Sequence, residues 1–587
     1  MTLRDIKSPA DIKDLDINVL KSIAAEMRRA LITKLSQTGG HVAPNLGVVE
    51  ATLALHKVFD APTDKLVYDV SHQSYVHKML TGRVQSFIDP AHYRDSSGYT
   101  DIEENPEYDL FTVGHTSTSI SLATGLAKQR DIAGEHHNVV AFIGDGSMSG
   151  GEAFEGLDCV GEMTTNFIVI FNDNQMSIAE NHGGIYKNFA ALRASDGTDP
   201  CNFFKSFGIN DYRFVAGGND LEELIKVFEE VKDIDHPVVV HIATLKGDGY
   251  KPAEDHKETF HYSGPFDIAT GDPKSVPSDD NYFDIFGKHM LELIEADPRV
   301  SVITAGTPGA IGFPPERRHK AGNRFIDVGI AEQTAVAMAS GMAKAGGRPV
   351  IGVVSTFLQR AYDQLIEDVA INHTAPVLNI FYGGVIGMND VTHLGWYDIP
   401  EVSNIPGWVY LAPTCREEYL SMLDWAVKQN EHPVAVRVPG MEVISTGKLY
   451  PADYSDINTS VMTHSGSQVA IIAAGSFYRM GERTRDLLKE KGVDATLINP
   501  RFLSGLDEQM LDSLKQDHRL VVTIEDGMLD GGYGEKVARF FGPTPVMVKC
   551  YGLPKALKDR YNATELMKEC HLDPNLIAAD IAALLPW

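Results

Sequence analysis

The sequence predicts an α/β protein of three domains, each with a mostly parallel sheet flanked by helices. Three observations carry that class. At 587 residues the chain exceeds what one hydrophobic core encloses. Short, wholly apolar runs bounded by turn residues recur along it, as strands buried on both faces of a parallel sheet do. Stretches of helical periodicity separate those runs, and such alternation sorts into α/β layers.

The elements follow in order. Leu20, Ile23, Ala24, Met27 and Leu31 keep helical spacing, and Gly39-Gly40 stops that helix. Strands are expected at Val139–Ile143, Phe167–Phe171, Val238–Val240, Val350–Val354, Val377–Phe381, Val469–Ala474 and Leu520–Ile524. Gly264 to Tyr282 is rich in Gly, Pro, Ser and Asp without periodicity and reads as a linker, and Gly440 to Asn458 as a second. The expected domains are therefore 1–265, 283–440 and 458–587. No short-period repeat or low-complexity tract interrupts them.

Composition narrows the function. Lys and Arg total 52 against 80 Asp and Glu, a net charge of −28, which disfavours a nucleic-acid backbone or an anionic membrane as partner. MTLRDIKSPADIKDLD has no apolar core of a signal peptide, and no stretch offers the roughly 20 apolar residues that a membrane span needs. Cys159, Cys201, Cys415, Cys550 and Cys570 are scattered and form no CxxC, so reduced thiols in a cytoplasmic protein are expected.

The strongest local signal is VVAFIGDGSMSGGEAFEG followed by FIVIFNDNQMSI. One expected strand delivers Gly144-Asp145-Gly146 to its C-terminal end, the edge at which α/β sheets bind ligands. Glycines there permit tight turns and close backbone approach to phosphate oxygens. A second strand delivers Asn172-Asp173-Asn174 to the same edge. A carboxylate, an amide oxygen and a carbonyl from the following turn are hard donors suited to Mg²⁺, with diphosphate oxygens completing the octahedron. GDG alone recurs in many turns; its pairing with NDN sharpens the signal. Further on, Phe325–Ile330 reads as a strand and Ala331-Glu332-Gln333 opens a helix, where a carboxylate also suits the helix dipole.

GDG followed by NDN resembles the thiamine-diphosphate motif. The segments TGGHVAPNLGVVEATLALHKVF, KLVYDVSHQSYVHKMLTGR, GHTSTSISLATGLA, KGDGYKPAEDHKETFH, STFLQRAYDQL and VTHLGWYD resemble the 1-deoxy-D-xylulose-5-phosphate synthase family, with gaps, from about Leu31 to the C-terminus. The resemblance implies the thiamine-diphosphate-binding fold, with diphosphate-binding, pyrimidine-binding and C-terminal transketolase-like domains in that order. It also implies thiamine diphosphate and Mg²⁺ as cofactors, and an active site between the first two domains of one chain in a homodimer. The implied transferase reaction joins pyruvate, with loss of CO2, to the aldehyde glyceraldehyde 3-phosphate. Its product, 1-deoxy-D-xylulose 5-phosphate, feeds isoprenoid, thiamine and pyridoxal phosphate synthesis.

Residue by residue, the resemblance gives Asp145 and Asn174 side-chain oxygens, and Met176 a backbone carbonyl, as Mg²⁺ ligands. His115, Thr116 and Ser117, with Gly144, Gly146 and Ser147, would line the cofactor. Glu332 would be the activating carboxyl, donating to N1′ of the aminopyrimidine so that the exocyclic nitrogen can take the thiazolium C2 proton. Phe357 would stack on the pyrimidine. His41, His72 and His115 would line the reaction centre, with Lys246 near the cofactor and His261 near cofactor and donor. Arg360 and His393 would face donor and acceptor. Five histidines, expected at strand ends, suit a mechanism whose every step moves a proton near neutral pH.

Departures from the family pattern fall around the acceptor. Ser71 replaces a usual glycine, and Val354 a usual tyrosine. Ile380-Phe381-Tyr382-Gly383-Gly384 stands where the family strand ends in Asp-Arg-Ala-Gly, and Val438-Pro439-Gly440-Met441 where it has Tyr-Pro-Arg-Gly. Two arginines that hold the acceptor phosphate in the family are thus replaced; Arg437 matches a different one. The chain is also short between Ala191 and Gly217. Two alternatives stay open at this level: a paralogue using another aldehyde or a ketose donor, and a catalytically silent regulatory paralogue that holds the cofactor.

Overall fold

The computed structural model describes residues 1–275, 278, 280–440 and 442–585. These residues form three sheets in two compact units, 1–277 with 329–331, and 278–328 with 332–587.

The first unit is built on β1 (Lys65–Tyr68), β2 (Val139–Gly144), β3 (Phe167–Asp173), β4 (Asp211–Val215) and β5 (Pro237–Ala243), in the order β1-β2-β3-β5-β4 with every pair parallel. Successive residues of the central strands enter opposite cores. Val140, Phe142, Ile168 and Ile170 pack in one cluster, while Ala141, Ile143, Val169 and Phe171 pack in another. With both faces dry, the strands need no polar alternation, which is why they read as unbroken apolar runs. The helix Ile17–Thr38 runs from its cap Asp16, which accepts from the amides of Asn18 and Val19, to Gly39 at φ +75°. It buries Leu20, Ile23, Ala24, Met27 and Leu31, the residues whose spacing announced it.

The second unit carries β6 (Val300–Thr304), β7 (Phe325–Asp327), β8 (Arg348–Val354), β9 (Val377–Phe381), β10 (Val409–Leu411) and β11 (Val434–Arg437), in the parallel order β10-β11-β9-β8-β6-β7. Its other sheet comprises β12 (Val461–His464), β13 (Gln468–Ala473), β14 (Thr496–Asn499), β15 (His518–Met528) and β16 (Met547–Leu553), in the order β12-β14-β13-β15-β16. Only the edge pair β12–β14 is antiparallel. Leu378 and Ile380 of β9 share one apolar cluster with Ala470 and Ile472 of β13 and Val521 of β15, so the two sheets close on a common core.

All seven expected strands are present. The run expected at 325–330 is shorter: β7 stops at Asp327, because Gly329 at φ +74° turns the chain before the helix Glu332–Lys344. Among their described residues, both segments expected as linkers lack helices and strands, except that Tyr282 opens the helix Tyr282–Ala296; Val276, Pro277, Asp279 and Met441 lie outside those residues. The short stretch after Ala191 is filled by aromatic packing of Phe189, Phe203 and Phe204 around Phe171.

Candidate active site

In the first unit, β2 and β3 are in register at Gly144 and Asn172, so their C-terminal ends open side by side. The Asp145 amide donates to the Asn172 carbonyl (3.0 Å), tying the two turns together. Asp145 is buried, and its Oδ2 accepts from Asn181 Nδ2 at 2.8 Å. Burial, followed by the neighbouring charge of Asp173, pushes the Asp145 carboxyl up to about 7. Asn174 Oδ1 accepts from the Met176 amide at 3.2 Å, folding the turn that carries the Met176 carbonyl. Behind this turn Asp173 pairs with Arg193 and with His241 Nε2 (3.0 Å), and Tyr212 bonds the far side of that imidazole (2.6 Å). Those partners outweigh burial and keep the Asp173 carboxyl below its ordinary range.

The loop carrying His115, Thr116 and Ser117 is locked onto the GDG turn. Ser117, at φ +76°, donates its hydroxyl to the Ser147 carbonyl (2.7 Å). Asp69, one residue past β1, accepts from the amides of Ser117 (2.8 Å) and Ser119 (3.0 Å). A Cβ added at Gly150 would sit 2.1 Å from Ser117 Oγ, so the loops pass too closely for any side chain there.

His41, His72 and His261 form a ring cluster: centroids lie 5.1 Å apart for His41–His72, 5.4 Å for His72–His261 and 5.8 Å for His41–His261. The expectation that the histidines stand at strand ends is corrected by the structure. Only His72 closely follows a strand, four residues past β1. His41 and His261 come together because Gly40 and Ser263 exchange backbone hydrogen bonds of 2.9 and 3.1 Å between two loops. Lys246 Nζ donates to His261 Nδ1 (3.1 Å) and to the Ser177 carbonyl. Burial lowers the Lys246 ammonium to about 7. Burial, with Lys246 adding, holds the His72 imidazolium down to about 3 and lowers that of His261 well below its usual range. Both rings are therefore neutral at pH 7.

Glu332 begins its helix in the second unit with a buried carboxyl. Its Oε2 has no hydrogen-bond partner among the described residues and lies 3.7 Å from Arg360 Nη1. Burial raises the Glu332 carboxyl above its ordinary value, with Arg360 opposing. It borders a small cavity walled by Thr307, Val336, Ile351 and Phe357. Phe357 meets His393 edge to face at 5.6 Å, and His393 Nδ1 bonds Thr392 Oγ1 at 2.7 Å. A buried carboxyl of raised pKa, with an unmatched oxygen beside an apolar slot, suits a ring nitrogen that seeks a proton donor. The turn of Asp145, Asn174 and Met176 likewise offers the mixed oxygens that a divalent cation bound to a diphosphate takes. Both donor sets fit the implied cofactor.

The replaced acceptor segment lies beside a saturated ion cluster in the same unit. Arg437 is buried between Asp398 (Nε–Oδ2 2.6 Å) and Asp526, and Tyr410 donates to Asp398. A Cβ at Gly384 would stand 2.4 Å from Asp526 Oδ2. Sequence reasoning missed Asp69, Asn181 and Asn45, which act on backbone or on other site residues and so carry no recognisable spacing; a polar residue inside an apolar run, as in VAPNLGVV, was the available signal for Asn45.

Parallel sheets presenting turns at their C-terminal edges define an α/β fold, and the domain profiles it matches are those of a transketolase-type enzyme. Profiles described as "Transketolase, pyrimidine binding domain" and "Transketolase, C-terminal domain" match residues 280–444 and 441–577. The profile of 1-deoxy-D-xylulose-5-phosphate synthase matches residues 3–202. The chain is 40% identical over 562 residues to the 1-deoxy-D-xylulose-5-phosphate synthase of Clostridium acetobutylicum, covering 90% of each chain. It is 38% identical over 624 residues to that of Clostridium tetani, covering 100% of each. A solved transketolase from Campylobacter jejuni is 14% identical with a TM-score of 0.44, covering 97% of this chain and 100% of that one. The chain belongs to the 1-deoxy-D-xylulose-5-phosphate synthase family.

Proposed function

We propose that this protein is a thiamine-diphosphate-dependent transferase that joins pyruvate, with loss of CO2, to glyceraldehyde 3-phosphate, making 1-deoxy-D-xylulose 5-phosphate for isoprenoid and thiamine synthesis. Near-full-length identity to two clostridial synthases carries this reading. The test is product identification by mass spectrometry with pyruvate and a panel of aldehydes. Absence of a five-carbon deoxyketose phosphate under metal- and cofactor-loaded conditions would overturn it.

The residue roles are part of the proposal. Asp145, Asn174 and the Met176 carbonyl hold Mg²⁺, and the backbone of Gly144, Gly146 and Ser147 lies along the diphosphate with His115, Thr116 and Ser117. The cofactor, when bound, would supply a nucleophilic carbanion, formed by loss of a carbon-bound proton, and an electron sink for decarboxylation. Glu332 shares a proton with the pyrimidine, a role supported by the burial that raises its carboxyl above the ordinary value, and Phe357 covers the ring. His41, His72 and His261, with Lys246, pass protons at the reacting carbons, supported by their contact and by their neutral rings. Arg360 and His393 orient donor and acceptor. The proposal extends to domains at 1–265, 283–440 and 458–587, a homodimer, a cytoplasmic location, and no nucleic-acid or membrane partner. Among the described residues no helix is long and apolar enough to cross a membrane.

A further inference from the structure

One side chain gathers the backbone around two of the histidines. Asn45 is fully buried in the short helix Val42–Leu46. Its Nδ2 donates to the carbonyls of His41 (2.8 Å) and His72 (2.7 Å), and its Oδ1 accepts the Tyr75 amide (3.0 Å). Only this orientation of the amide is satisfied, since both carbonyls need donors and the N–H needs an acceptor. Tyr75 closes the ring of contacts: its hydroxyl accepts from the His41 amide at 3.4 Å and packs where a Cβ on Gly40 would approach to 3.1 Å. His72 itself follows Val70 and Ser71 at φ +57° and +64°, two left-handed non-glycine residues in succession. Such backbone persists only where its surroundings hold it. Ser71 contributes by donating to the Val113 carbonyl (2.7 Å) and accepting from the Thr100 amide (2.8 Å).

We propose that Asn45, seconded by Tyr75, is a positioning residue that fixes the His41 and His72 rings at their 5.1 Å separation and 69° tilt for proton transfer. The proposal rests on the reading that these histidines move protons in the reaction. Asn45→Asp keeps the shape but sets an acceptor-only carboxylate against two carbonyls, turning attraction into repulsion. The expected result is a kcat lowered about 10²-fold, the scale of an ångström's misplacement of catalytic groups. KM for pyruvate stays within about threefold, and the pH profile of kcat shifts. Tyr75→Phe, which removes the hydroxyl that accepts from the His41 amide and creates no large void, lowers kcat about tenfold. In cofactor-free protein, the imidazole ¹⁵N shifts of His41 and His72 move in both variants. Asn138→Ala serves as the control, a buried asparagine bonded to Asp64 and Asp233 elsewhere in the unit. It lowers the melting temperature and leaves kcat, pH profile and both shifts in place. His41→Ala and His72→Ala separate the two claims. If they retain parental kcat, the proton-transfer reading fails. If they collapse while Tyr75→Phe and a folded Asn45→Asp keep kcat within twofold and the pH profile unmoved, the positioning role is overturned; should Asn45→Asp not fold, Tyr75→Phe decides.

Discussion

Replacing Glu332 by glutamine keeps the side chain's size and removes its acidity, and the structure predicts opposite effects on stability and rate. The carboxyl is buried and its Oε2 has no hydrogen-bond partner among the described residues. Burial raises its pKa more than Arg360, 3.7 Å away, lowers it. A folded-state pKa above the unfolded value of about 4.3 means that the ionised group opposes folding at neutral pH. Glutamine carries no such penalty, so Glu332→Gln is expected to unfold at higher denaturant than the parent at pH 7. That advantage is full above the folded pKa and vanishes below about pH 4.3, where the parent carboxyl is protonated in both states. The rate moves the other way. Loss of one positioned acid costs about 10²–10⁴-fold, equivalent to about 2.7–5.4 kcal/mol of barrier. The direct assay is exchange of the cofactor's C2 proton into D2O, quenched in acid and read by NMR. Exchange at the parental rate would refute the role given to Glu332, and a lower denaturation midpoint at pH 7 would refute the burial argument.

Other expectations follow from the same geometry. Asp145→Ala removes a buried carboxylate from the proposed cation turn, so thiamine-diphosphate affinity in the presence of Mg²⁺ should collapse in calorimetry, and unchanged affinity would void the metal assignment. Asp109 is fully buried and holds His77 (2.9 Å) and both Arg83 nitrogens (2.6 and 2.8 Å); Asp109→Asn should destabilise the first unit by about 3–5 kcal/mol in denaturant titration at pH 7. Despite its burial, those hydrogen bonds hold the Asp109 carboxyl well below its ordinary value, so the loss should shrink as pH falls below about 4. Arg437 is saturated by Asp398 and Asp526, and Tyr382 and Gly440 stand where the family resemblance places phosphate-binding arginines. Two absent charged hydrogen bonds of about 1.5–3 kcal/mol each should leave a kcat/KM preference for glyceraldehyde 3-phosphate over glyceraldehyde below roughly 10²-fold. A ratio near 10⁴ would mean that other groups hold the phosphate.

Much of this architecture is legible in the sequence where local chemistry and tertiary context agree. Phe167–Phe171 reads as a doubly buried strand because β3 lies between β2 and β5 with apolar cores on both faces. β4, at the edge with Asp211 and Arg213 partly exposed, and β12, with alternate residues in solvent, send no such signal. At the site, Asp145 and Asn174 announce themselves because each directly ends a strand. Asn45 and Asp69 do not, since the backbone groups they serve lie up to 30 and 50 positions away in the chain. Ser71, which stands where the family usually has glycine, occupies a left-handed position and is bonded through its hydroxyl on both sides. A residue's tolerance at such a position depends on partners that only the fold supplies.

The common core beneath β9 and β13 sets a timetable for synthesis. When Arg437 leaves the ribosome, every strand of the six-stranded sheet exists, yet Leu378 and Ile380 still await Ala470, Ile472 and Val521. Those partners emerge over roughly the next 30–80 residues, or about 2–16 s at ~5–20 residues per second. For that interval the nascent chain displays an apolar sheet face, the kind of surface that chaperones bind and that drives aggregation. Conditions that slow elongation between 437 and 521 should therefore reduce the yield of folded protein more than the same delay placed after 553, where the last strand has been made.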